Sequence, residues 1–374
     1  MKKTEKNLKR LNYLILFLSI FFSFLIIEII LSFLSSTNKE IISRKIRLRE
    51  WQPSINRYFT PDNKYIENSE NLIQKGYKFK VSEEGYIYPS KIYKQPDKTL
   101  LFLGGSTTEC MYVEEENRFP YLVGKIIDSS GVKINSFNSG KSGNNSMHSI
   151  NIFLNKGLEL KPDFVIMKHN INDLGILLFE KSYWNRHPSR SLIISEKVVP
   201  KYQYVNIKNM IQRLVPKTYN LFWKFKEKFL KNSHKYDEFA HLRGKKIEFN
   251  SKIILKNFSQ NLVAFINIAK AYDVTPILMT QANRITPSPD KKIIESWSTE
   301  DDFGIKYEDY QRLYEKMNQI ILKVGESNNV MVIDLANKVP KTSQYMYDAI
   351  HFNDFGSRYV AKLISKKIKK ILYN

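Results

Sequence analysis

From Leu11 to Ser35 the chain reads LNYLILFLSIFFSFLIIEIILSFLS, an unbroken apolar run in which Glu28 is the one charge. At about 1.5 Å per residue, Tyr13 to Leu34 as a helix covers roughly the 30 Å hydrocarbon layer of a bilayer. The ten residues before it, MKKTEKNLKR, hold five basic side chains and one acid. A cleaved signal peptide is the alternative, but the run exceeds the usual apolar segment of about 7–15 residues and no A-x-A site follows. The pattern therefore predicts a retained transmembrane helix, with residues 1–10 cytoplasmic and everything after residue 35 outside the inner membrane, as the positive-inside rule requires. Glu28 either faces a partner helix or sits protonated near the outer interface, since an intramembrane carboxylate is costly.

Residues 36–95 are polar and irregular, with scattered aromatics such as Trp51, Tyr65, Tyr77 and Phe79, and read as a stalk that becomes a packed lead-in. Regular alternation follows over 96–374. Short apolar runs bounded by Gly, Asn or Asp predict buried strands at 99–105, 133–140, 163–170, 275–281 and 330–335. Helical spacing predicts helices at about Pro120–Asp128, Ser149–Leu160, 253–272, Tyr307–Ser327 and Asp354–Leu372. Strands that alternate with helices form a parallel sheet with helices on both faces, an α/β three-layer fold.

One segment breaks the alternation. Residues 181–252 hold 17 basic and 5 acidic side chains. Within them, 217–231 set Phe222, Phe225 and Phe229 on one helical face among lysines. Such a helix either packs its aromatics on the domain or forms a lid or membrane-facing cap beside the active site.

Composition narrows the function class. The chain has 374 residues, 43% of them hydrophobic, which provides a core and excludes disordered or collagen-like classes. A single cysteine, Cys110, excludes an internal disulfide and a cysteine-rich zinc site. His187, His234 and His241 lack metal-ligand spacing, so they are not expected to hold a metal. The formal charge is +22, of which +19 lies after residue 35. Nucleic acid is not the expected partner, because the topology opposes it and no helix-turn-helix, RRM or KH signature is present. Anionic lipid headgroups or acidic polysaccharide suit an extracytoplasmic basic surface better.

Ligands of doubly wound sheets bind beyond the carboxyl ends of the strands, and four segments there carry reactive or polarising groups. The first strand runs into Gly104-Gly105-Ser106-Thr107-Thr108, where glycines allow a sharp turn that exposes a serine hydroxyl. No Gly-Lys-Ser/Thr follows this turn at P-loop spacing. The second strand ends in Asn138-Ser139-Gly140-Lys141-Ser142-Gly143-Asn144, in which a glycine N–H can approach an oxyanion unobstructed. The third ends in His169-Asn170-Ile171-Asn172-Asp173, with an amide donor at the strand terminus. Near the C-terminus, Asp348-Ala349-Ile350-His351 can turn a carboxylate and an imidazole to one side of a tight loop. His148 and His169 are expected to be satisfied loop histidines, Asp173 a support for its own loop, and Cys110 a packed thiol.

In this order and at these strand ends, the four segments resemble the blocks of the SGNH (GDSL-like) hydrolase superfamily over about residues 97–374, the 181–252 insertion apart. The resemblance implies a flavodoxin-like α/β/α sheet and cofactor-free ester hydrolysis. It assigns Ser106 as nucleophile, His351 as base and Asp348 as acid, with Ser106, Gly143 and Asn172 as the oxyanion donors. Two positions depart from the pattern besides the insertion. Gly105 stands where an aspartate is usual. Asn170 replaces the glycine of the third block, a change that can tilt that loop and narrow the space at the oxyanion hole. Membrane-tethered members look like those that modify surface polysaccharide, which implies removal of O-acetyl groups from an envelope glycan. An O-acetyltransferase, a lipase or lysophospholipase, and a non-catalytic glycan-binding protein are the alternatives.

Overall fold

The apolar run at 98–104 is buried on both faces because consecutive side chains point to opposite sides of one strand. In the computed structural model, which describes residues 2–34, 41–90, 92–184, 187, 190–198, 247–298 and 304–373, it is the second strand of a five-stranded parallel sheet. The strands are β1 (Lys98–Gly104), β2 (Ile134–Asn138), β3 (Phe164–Lys168), β4 (Thr275–Met279) and β5 (Val332–Ile333), in the spatial order β2-β1-β3-β4-β5. That is the flavodoxin-like order, whose switch point lies at the ends of β1 and β3. Leu101 pairs with Phe137 on one side and with Val165 on the other, and Ile166 in turn with Ile277.

The helices form the outer layers. Phe119–Asp128 (α1), with Pro120 in its first turn, and Asp354–Leu372 (α6) cover one face, where Leu100 and Phe102 meet Phe119, Val123, Ile127, Val360 and Ile364. Ser146–Asn155 (α2), Ile171–Phe179 (α3), Ser251–Ala271 (α4) and Tyr307–Ser327 (α5) cover the other, where Leu101 and Leu103 meet Phe153, Leu174, Phe258, Phe265 and Met317. Each such fully buried Leu or Phe contributes about 1.5–3 kcal/mol. The α/β/α arrangement expected from the alternation is present.

Two elements differ most from the sequence reading. The helix expected over 149–160 starts at Ser146 and gives way to a 3₁₀ turn, Gly157–Leu160. Asn145 ends it N-terminally with a capping box shared with His148. The last strand, expected over 330–335, pairs only through Val332 and Ile333, because the Asp334 carboxylate accepts from the Asn337 N–H and opens the short helix Leu335–Lys338. The lead-in, from Ile46 on, shares a compact unit with the sheet. Strand Asn56–Phe59 pairs antiparallel with Tyr77–Lys80, Trp51, Phe59 and Phe79 pack together, and Ile87 donates to the Asn138 carbonyl at the free edge of β2.

The N-terminal residues up to Lys45 belong to a second compact unit. Its helix, Lys2–Leu34, contains a 23-residue stretch, Leu8–Ile30, of mean hydropathy 2.6 with no buried residue, long and apolar enough to cross a membrane. The amphipathic stretch 217–231 lies outside the described residues.

Candidate active site

All four segments converge on the carboxyl edge of the sheet. β1 ends at Gly104, and Ser106 opens a single helical turn, Ser106–Glu109, whose Thr108 and Glu109 N–H groups both donate to the Gly105 carbonyl at 3.0 Å. Cys110 closes the turn in the left-handed region, at φ 56°, and donates to the Ser106 carbonyl. Its thiol is buried, and burial raises its pKa to about 11, so it stays a neutral packing group.

The Ser106 hydroxyl lies 2.8 Å from His351 Nε2, and His351 Nδ1 lies 2.7 Å from Asp348 Oδ2. The Asp-x-x-His loop achieves this with its own backbone. Asp348 Oδ1 accepts from the Ile350 and His351 N–H groups at 2.9 and 2.7 Å, leaving Oδ2 aimed at the imidazole. The Tyr347 ring stacks on the imidazole with an 8° interplanar angle. Asn353 then caps α6, which fixes where the loop ends. Burial alone would raise the Asp348 carboxyl, but the His351 charge and these hydrogen bonds outweigh it and hold the carboxyl below its usual value.

The second loop is docked over β1 by bonds from Ser139 N–H to the Phe102 carbonyl and from Lys141 N–H to the Gly104 carbonyl. Gly143 has φ +77°, a region that L side chains avoid, and a Cβ there would meet the Arg190 guanidinium. Asn172, in the first turn of α3, donates Nδ2 to the Asn144 carbonyl at 2.8 Å, which sets the amide beside the nucleophile turn. Among the described residues neither the Ser106 N–H nor the Gly143 N–H is engaged in a hydrogen bond.

The two departures from the family pattern have local reasons. A Cβ at Gly105 would lie 2.4 Å from Asn172 Nδ2 and 3.1 Å from the Asn144 carbonyl, so with this backbone any side chain displaces the amide donor. Asn170 does not narrow the space at the nucleophile. Its side chain turns toward α5, donating to the Tyr314 carbonyl and to Asn318 Oδ1 at 3.0 Å each. Its φ of −164° lies outside the left-handed region that favours glycine.

Several supporting groups are invisible to motif reading. Tyr65, in the lead-in, donates its hydroxyl to Asp348 Oδ2 at 3.0 Å and lies 3.5 Å from His351 Nδ1. Burial, and then the Asp348 charge, keep the phenol protonated far above its ordinary range. Glu109 is fully buried beneath the second loop. Its Oε1 accepts from Ser142 N–H at 3.0 Å and from Trp51 Nε1 at 2.8 Å, and its Oε2 accepts from the Ser142 hydroxyl. Burial raises its pKa despite those bonds. The helical offset of three residues from Ser106 was the available signal for Glu109; Tyr65 had none.

Asp173 supports its loop as expected, accepting from Ser146 N–H at 3.1 Å and from Tyr183 at 2.9 Å, with burial raising it to about 6. His148 accepts from Asn145 N–H at Nδ1 and bonds the Arg190 carbonyl at Nε2, while His169 bonds Ser149; burial lowers both to about 3. Both are neutral, satisfied histidines.

No family model matches this sequence, and no curated protein matches it. Solved structures do show similarity. A lipase/acylhydrolase from Enterococcus faecalis is 16% identical, with 73% of this chain and 96% of that chain covered at a TM-score of 0.42. An acetylxylan esterase from Geobacillus stearothermophilus is also 16% identical, covering 74% and 96% at 0.42. A GDSL-like lipase from Bacteroides thetaiotaomicron is 14% identical, covering 74% and 89% at 0.40.

Proposed function

We propose that this chain, with the sheet order and strand-end blocks of an SGNH hydrolase, is a membrane-tethered serine esterase that removes O-acetyl groups from a cell-envelope polysaccharide. One observation carries the reading: the continuous relay from the Ser106 hydroxyl through His351 to Asp348, at 2.8 and 2.7 Å. In it, His351 Nε2 takes the Ser106 proton as the hydroxyl attacks the acyl carbonyl, and Asp348 holds Nδ1–H and stabilises the imidazolium. The developing oxyanion receives the Ser106 and Gly143 N–H groups and the second N–H of the Asn172 amide. His351 then protonates the leaving sugar oxygen, and water, activated by the same imidazole, releases acetate from the acyl-enzyme. The helix Lys2–Leu34 serves as the anchor, with the basic N-terminus in the cytoplasm and the catalytic unit outside. The acetyl and glycan assignments rest on the family resemblance.

A fluorophosphonate probe that labels Ser106, with turnover of p-nitrophenyl acetate, tests the chemistry; an unlabelled protein refutes it. Turnover of a long-chain ester in preference to the acetate moves the reading to a lipase. Mass spectrometry of envelope polysaccharide separates removal from transfer: a deletion strain gains acetyl groups if the enzyme removes them and loses them if it transfers them.

Substitutions at two positions probe the oxyanion donors. Asn172→Ala lowers kcat by about 10²–10³-fold with little change in KM, because the donor acts on charge that appears only in the transition state. Glu109→Ala frees the Ser142–Gly143 segment from its anchor and lowers kcat by about 10–100-fold, part of the worth of one donor. Glu109→Gln keeps an acceptor for Ser142 N–H and Trp51 and stays within about threefold of the parent. Steady-state kinetics on p-nitrophenyl acetate check both, and equal loss in the Ala and Gln variants excludes the positioning role.

A further inference from the structure

A group of cations surrounds the Gly143 loop and takes no part in the proposed acyl chemistry. Arg190 donates Nη1 to the Gly143 carbonyl at 2.9 Å, and a Cβ on Gly143 would lie 1.8 Å from that nitrogen. The guanidinium thus covers the α-carbon of the residue whose N–H faces the oxyanion. Arg49 donates Nη1 to Asn144 Oδ1 at 2.5 Å, and Asn144 Nδ2 returns a bond to the Arg49 carbonyl at 3.0 Å. Arg47 donates Nη2 to the Ser191 carbonyl at 3.0 Å. Lys141 donates to the Glu50 carbonyl and sits 4.9 Å from the Trp51 ring centroid. All four side chains are half-buried.

Their mutual repulsion is felt at Lys141, whose ammonium is lowered to about 8 by burial first and then by Arg49 and Arg47. After burial, Arg49, Arg190 and Arg47 disfavour a charge on His148. Among the described residues, the carboxylates of Glu109 and Glu50 act on Lys141. Glu109 accepts from Ser142 and Trp51, and Glu50 pairs with Lys156 at 2.5 Å. Arg190 also stands at the start of the 181–252 segment, with its 17 basic and 5 acidic side chains. Half-buried cations gathered around the Gly143 loop make this edge of the site electropositive, and such a field favours an anionic group on a bound substrate.

We propose that the acyl sugar bound at Ser106 carries an anionic group, a sugar carboxylate or phosphate, and that Arg190, with Arg49 and Lys141, binds it beside the oxyanion donors; the substrate is an acidic glycan. The inference rests on the esterase reading and names its substrate class. An anion so placed fixes which acetyl group faces Ser106.

The test uses the full-length chain in detergent micelles. O-acetylated oligogalacturonate and an O-acetylated phosphosugar are compared with O-acetylated xylo-oligosaccharide by acetate release, with p-nitrophenyl acetate assayed in parallel. The expected result is kcat/KM at least about tenfold higher for one acidic probe than for the neutral one, the better probe identifying the anion. That ratio falls at least about fivefold between roughly 0.05 and 0.5 M salt, as attraction to half-exposed cations is screened. It falls similarly in Arg190→Gln and Arg49→Gln, each ratio being read within one variant so that a general loss of activity cancels. A ratio at or below one, or a high ratio indifferent to salt and to both substitutions, overturns the proposal. Absence of turnover on p-nitrophenyl acetate is a separate result that strikes the esterase reading itself.

Discussion

Ser106→Ala is expected to lower turnover of p-nitrophenyl acetate by about 10⁶-fold and to abolish the acyl-enzyme. The substitution removes one oxygen from a half-buried position and leaves the Gly105 and Cys110 turn bonds untouched, so the fold is retained. What remains is the oxyanion set and substrate binding, which in such sites still give about 10³–10⁴-fold over the uncatalysed reaction. Rapid-mixing kinetics check this: the parent gives a burst of p-nitrophenol equal to the enzyme concentration when deacylation is slower, and the variant gives none. Intact-protein mass spectrometry after fluorophosphonate treatment shows the adduct only in the parent. Turnover within tenfold of the parent would transfer the nucleophile role elsewhere and leave the 2.8 Å contact to His351 without chemical meaning.

Asp348→Asn is the second large effect, about 10⁴-fold in kcat. The backbone of the loop dictates the direction. Oδ1 accepts from two N–H groups, at 2.9 and 2.7 Å, so an asparagine must keep its oxygen there. Its NH₂ group then faces His351 Nδ1, which becomes an acceptor and drives the imidazole proton to Nε2. An Nε2–H imidazole cannot take the Ser106 proton. Because the Tyr65 hydroxyl can turn its lone pair to the new NH₂, the loop stays folded and the loss is one of tautomer rather than of structure. The check is kcat against pH. The folded variant regains rate as hydroxide concentration rises, whereas a variant damaged through unfolding shows lower stability and no such recovery.

The sheet was legible because each strand is a short apolar run with punctuation at both ends, and the site segments sat at that punctuation. Ser106 follows two glycines, and Asp348 and His351 are three apart, so their proximity is almost a local property. The boundaries were less legible. Val330 and Met331 read as strand, yet the Val330 N–H turns back to the Gly325 carbonyl of α5, and of the two only Met331 meets β4, its carbonyl accepting from the Leu278 N–H. Nor does sequence show that Gly105 is imposed by a neighbour 67 positions away, Asn172, whose amide occupies the space of the missing Cβ. The third-block asparagine, suspected of crowding the nucleophile, is drawn off by Asn318 on α5.

By itself, then, the order of residues determined the alternation of strands and helices, the apolar N-terminal run and the sites of reactive groups, since each depends on side chains within a few positions of one another. Tertiary structure alone decided that Tyr65 bonds Asp348 across 283 positions, that Glu109 and Trp51 jointly hold the Gly143 loop, and that Arg47, Arg49 and Arg190 gather beside it. The reason is geometric. A periodicity fixes which face a residue presents, but a hydrogen bond between distant segments exists only once packing has brought both chains to the same edge of the sheet.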